Sequence, residues 1–79
     1  MVFEGVIEFR YEAIGSKSEG CYAHLLTADG NDWILYRPGC LAWNDRYFEP
    51  FHGYQVRIEG EPENRARHIL VNGIWVRES

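Results

Sequence analysis

From Val2 to Ala13 apolar and polar positions alternate, with Phe3, Gly5, Ile7, Phe9 and Tyr11 on one side and Glu4, Glu8 and Arg10 on the other, beside Val2 and Val6. A period of two predicts a β-strand with one buried face. Four further runs read as strands. Cys21 to Ala28 leads into Asp29-Gly30, a hairpin dipeptide, and then into Asp32 to Arg37. Tyr54 to Glu61 turns Val56 and Ile58 inward and Gln55, Arg57 and Glu59 outward. Arg67 to Val76 sets Ile69 and Val71 against His68, Leu70 and Asn72, and Asn72-Gly73 marks a bulge or bend before Ile74, Trp75 and Val76. Turn signals, including Gly-Ser-Lys-Ser at 15–18, Arg-Pro-Gly at 37–39 and Glu-Pro-Glu-Asn at 61–64, punctuate the runs. Their spacing of roughly 8 to 12 residues is that of short strands.

Between Gly39 and Gly53 the pattern breaks, because Leu41, Trp43, Tyr47, Phe48 and Phe51 keep no two-residue period. A short helical turn is expected from Asn44 or Asp45, either of which can cap it, to Glu49 before Pro50. Its apolar residues then plug one end of the strand assembly.

The chain has 79 residues, which allows one domain spanning 1–79. Hydrophobic residues make up 46% and aromatic residues 15%, so the core of so small a domain rests on large side chains. Three strands, a short helical or irregular plug and two more strands make up an all-β, five-stranded Greek-key order, similar to that of the OB-fold. The stretch Phe51 to Gly60, followed by Ile69 to Ile74, also resembles the fourth and fifth strands of small bacterial OB-like domains. Gly53, Val56, Ile58, Gly60, Ile69, Val71 and Ile74 carry that resemblance. An SH3-like barrel is the alternative, ranked second because the longest non-strand segment lies between the third and fourth strands. Gly5 and Gly60 are expected where a tightly curved strand needs close backbone approach.

Charge narrows the function. Twelve acidic residues against eight basic give −4, and the deficit lies within residues 1–52. Nucleic-acid affinity comes largely from phosphate neutralisation, so this balance opposes it. A protein partner is expected ahead of a nucleic acid. Glu4 and Glu8 interrupt the first apolar stretch, no run is long enough to cross a membrane, and a cytoplasmic location is expected.

The OB resemblance implies a binding face on the second and third strands, where Tyr22, His24, Trp33, Tyr36 and Arg37 fall. Single-stranded nucleic acid or an oligosaccharide would bind there, the rings supplying stacking surfaces. Against this, alternation cannot turn all of these rings outward, and at least half are expected in the core. The densest aromatic patch is Trp43, Tyr47, Phe48, Phe51 and Tyr54. It reads as a plug, with Trp43 and Tyr47 as candidate anchors for a protein partner.

Metal and catalytic chemistry find little support. Cys21 and His24 are three apart, so on a strand they point to opposite faces, and Cys40, His52 and His68 lie elsewhere. Glu4, Glu8 and Glu12 read as a solvated strand face, and neither a nucleophile elbow nor a phosphate loop is present. No enzyme, cofactor or metal is expected. Pairing across a two-residue loop at 30–31 would set Cys21 opposite Cys40, within disulfide reach. Pro38-Gly39 and a reducing cytoplasm instead favour free, partly buried thiols.

Overall fold

The computed structural model describes residues 1–77 other than 13, 18, 43 and 64. Five strands form, β1 (Val2–Glu12), β2 (Gly20–Thr27), β3 (Asp32–Tyr36), β4 (Gln55–Glu63) and β5 (His68–Val76), with a 3₁₀ helix at Arg46–Phe51 between β3 and β4. The protein is mostly β. Its strands close into one ring in the order β1-β2-β3-β5-β4, with β4 returning to β1. Every pairing is antiparallel except that of β3 with β5, which run parallel.

Closure follows from the alternation. Ile7, Ala23, Leu25, Trp33, Leu35, Val56, Ile58, Ile69 and Val71 all point into the ring and are buried. Each large apolar side chain removed from water contributes about 1.5 to 3 kcal/mol. Phe48 of the 3₁₀ helix is fully buried in the same cluster, and Phe3, Phe9, Phe51 and Ile74 pack around it. Of the apolar residues expected to plug one end, Phe48 and Phe51 pack inward, whereas Leu41 and Tyr47 stay exposed. Gly5 and Gly60 lie where expected: a Cβ at Gly5 would overlap the Leu26 carbonyl oxygen, and one at Gly60 the Leu70 carbonyl oxygen.

Several expectations are corrected in detail. Tyr11 shares a side with Ile7 but is exposed, because β1 beyond Val6 has left β4 and pairs only with β2. Its hydroxyl donates to Glu19 instead. The β2–β3 hairpin does not use a two-residue loop at 30–31. Leu25 pairs with Trp33, where that loop would have paired it with Tyr36. Thr27 N–H donates to the Asn31 carbonyl (3.0 Å) and Gly30 takes φ +88°, which makes a three-residue loop at 28–30. Cys21 and Cys40 are consequently out of step, and both are free, Cys21 half-buried and Cys40 exposed. The strand expected to stop at Glu61 runs on to Glu63, and Pro62 pairs with Ile69 inside it. Pro62 is tolerated because β1 accompanies β4 only as far as Glu59, so no neighbour on that side needs its missing N–H.

The helical turn also outlasts its expected end. Asp45 is the cap, its Oδ1 accepting from Tyr47 N–H (3.1 Å), but the turn passes through Pro50 and closes with His52 N–H on the Glu49 carbonyl (3.1 Å). Asn44 does something else. At φ +60° its N–H donates to the Cys21 carbonyl (2.7 Å) and its Oδ1 accepts from Cys21 N–H (3.0 Å), so it pairs with the free edge of β2. The bulge expected at Asn72-Gly73 is present: Glu59 pairs with Gly73 and Gly60 with Val71, leaving Asn72 unopposed.

Candidate interaction surface

The outer face of β2 and β3 is a polar network rather than a stacking platform. His24 is 5% exposed, and its Nδ1 lies 2.6 Å from Asp32 Oδ1 while Nε2 contacts Glu12 Oε1. Arg10 completes the group from β1, donating through Nε to Glu8 (2.5 Å) and through Nη1 to Asp32 (3.1 Å). Burial alone would raise the Asp32 carboxyl, but hydrogen bonds from His24 and Arg10 outweigh it and hold Asp32 below the usual carboxylate range. The Arg10 hydrogen bond likewise lowers Glu8. Trp33 is 7% exposed and belongs to the core, with the Arg67 guanidinium 5.4 Å from its ring centre. This corrects its expected place on a binding face: β3 turns Trp33 and Leu35 inward, so among the described residues no indole is there to stack a ligand. Tyr22 and Tyr36 are half-buried.

The structure brings Arg37 and Tyr47 together. Arg37 Nε and Nη2 donate to the two carboxylate oxygens of Asp45 (2.7 and 2.8 Å), and its guanidinium carbon lies 4.5 Å from the Tyr47 ring centre. Such a two-pronged contact fixes both side chains. The hydrogen bond raises Arg37 and lowers Asp45 from their ordinary values. Tyr47 meets Phe48 edge-on (5.2 Å) and stays 45% exposed. The half-buried cap thus holds an aromatic ring at the surface. Trp43, the other expected anchor, lies outside the described residues.

Two clefts flank this segment. One, of about 240 Å³, is lined by Tyr36, Cys40, Leu41, Ala42, Glu63 and His68. Tyr36 stands edge-on to His68 across the parallel β3–β5 pairing, at 5.9 Å. The other, of about 260 Å³, runs between Arg37, Pro38 and Tyr47 and the bulged stretch of β5 at 71–74. Leu41, 66% exposed, borders the first. Leu41 is expected inside the plug and His68 only on one face of its strand; the parallel β3–β5 pairing, invisible to periodicity, joins their neighbourhoods.

The arginines are dispersed. Arg37, Arg57 and Arg67 lie over separate rings, those of Tyr47, Trp75 and Trp33. Among the described residues no three His, Cys, Asp or Glu groups converge in metal-binding geometry, and no helix is long and apolar enough to cross a membrane. Comparison with protein-family models, with curated proteins and with solved structures gives no match for this chain.

Proposed function

We propose that the protein is a non-enzymatic interaction module, an OB-like barrel that binds another protein through the segment between β3 and the 3₁₀ helix. The OB-like reading is supported by the ring order β1-β2-β3-β5-β4, the parallel β3–β5 pairing and the 3₁₀ plug before β4. The observation that carries the binding reading is the pairing of exposed Leu41 and Tyr47 with two adjoining clefts, on a segment anchored by Arg37 and Asp45. Apolar and aromatic groups on a fixed base, rimmed by charge, are the usual composition of an interface centre. The partner offers an apolar side chain for the Tyr36–Leu41 cleft and a basic group for Glu63 in its lining.

A nucleic-acid ligand on the β2–β3 face finds less support. Glu8, Glu12 and Asp32 surround His24 there, and they repel phosphates. The test is retention of partners from source extract on immobilised protein. A retained protein that Leu41→Asp and Tyr47→Ala each release supports the proposal. Failure to retain any protein, together with turnover of a substrate, overturns it.

A further inference from the structure

The outer face of β1, β4 and β5 carries a second arrangement, independent of the segment at 37–47. Strand register sets Glu4, Arg57 and Trp75 side by side in one row and Val2, Glu59 and Gly73 in the next. The Arg57 guanidinium lies 5.5 Å from the Trp75 ring centre, and Arg77 Nη1 donates to Glu4 Oε2 (2.9 Å). Glu4, Arg57, Trp75 and Arg77 line a shallow depression of about 360 Å³. Val2, Val6 and Trp75 are all exposed on this face. Among the described residues, Arg57 and Glu59 have no ion-pair partner although both are exposed on β4.

What covers such a face is decided by charge. In the rows from Gln55 to Glu59, Glu4 and Glu59 balance Arg57 and Arg77, whereas the whole chain carries −4 and the β1–β2–β3 face presents Glu8, Glu12 and Asp32. A second copy of an acidic chain is repelled by surface of the latter kind and tolerated on a balanced one. We propose that the β1–β4–β5 face is a self-association surface, on which two copies pack face to face with their β4 strands antiparallel.

A two-fold axis lying in the interface, across the strands and between the two rows, exchanges one row with the other. Arg57 of each copy then meets Glu59 of the other, twice over, as an isologous contact requires. The Trp75 ring reaches from its own row over Gly73 in the next, so both indoles extend to the axis and meet there. Three strands at about 4.8 Å spacing and a few rows of residues give a footprint of a few hundred Å². That is below the about 800 Å² per partner of a standard interface, so the dimer is weak and concentration-dependent.

Sedimentation equilibrium up to about 1 mM protein tests this. The wild-type chain is expected to associate reversibly, and R57E and E59R are each expected to weaken association at least tenfold. An equimolar mixture of R57E and E59R then forms a heterodimer, because an acidic β4 face meets a basic one. The double variant R57E/E59R, which exchanges the two charges, restores the homodimer; a fold lost in either single variant could not produce these recoveries. A wild-type chain that stays monomeric at 1 mM, or single variants that dimerise like the wild type, overturns the proposal. Neither result depends on whether Leu41 and Tyr47 bind a partner.

Discussion

His24 joins three strands through its two ring nitrogens, since Glu12 comes from β1 and Asp32 from β3. Removing the ring leaves Asp32 and Glu8 sharing Arg10 and takes from Glu12 its contact with the imidazole. His24→Ala is expected to cost about 2 kcal/mol, the carboxylates' partial exposure keeping it below the loss for a fully buried pair; urea denaturation measures it. Asp32 and Asp45 give this network and the plug a common acid sensitivity, because both titrate below their ordinary values when folded. The unfolded chain takes up protons first as pH falls. The stabilising contribution is therefore complete above about pH 5 and is lost as pH drops through the ordinary carboxylate value near 4 towards the folded values. Urea midpoints measured from pH 6 to pH 3 should fall, and Asp45→Asn should flatten the fall. At Gly5 the Leu26 carbonyl occupies the space a methyl group needs, so Gly5→Ala is expected to cost about 3 kcal/mol by the same assay. The role of Gly5 was legible in the sequence, because a glycine amid alternating large side chains has few other reasons to be there. That of His24 was not: its partners lie 8 and 12 residues away, and only strand pairing brings them in.

At the scale of elements, legibility follows the origin of the signal. Inward and outward faces of β4 and β5 emerged from alternation alone, since burial repeats at every second residue. Register did not, because a one-residue change in loop length turns β3 over, and β3 offers apolar side chains on both faces, Trp33 and Leu35 on one and Ile34 and Tyr36 on the other. Pro50 and Pro62 each read as a break, yet the 3₁₀ turn runs through Pro50, and Pro62 stands where no neighbour requires its N–H. The 3₁₀ helix depends on one contact inside and one outside. Phe48→Ala removes the inner contact and is expected to cost about 3 to 5 kcal/mol. Arg37→Ala releases the outer one while leaving Phe48 in place. It is expected to lower the melting temperature less than Phe48→Ala does and to weaken partner capture as strongly as Tyr47→Ala does. Thermal unfolding and the retention assay read the two effects separately.

The whole molecule measures 38 × 25 × 23 Å, elongated for its size. Its ring is unevenly sewn. Register between β1 and β2 extends over eight residue pairs, whereas β3 shares three with β2 and three at its junction with β5. That junction also joins strands far apart in the chain, so its formation carries a large loop-closure cost. Fluctuations that expose backbone amides without global unfolding begin where pairing is thinnest. The Ile34 amide, bonded to the Arg67 carbonyl at 2.8 Å, should therefore exchange with deuterium sooner than the amides along β1 and β2 at Ile7 and Leu25. Tyr36 and His68 stand on the two sides of this junction, so each opening widens the cleft they line. A ligand bound there acts as a clasp, slowing deuterium uptake at Ile34 while leaving Ile7 unchanged.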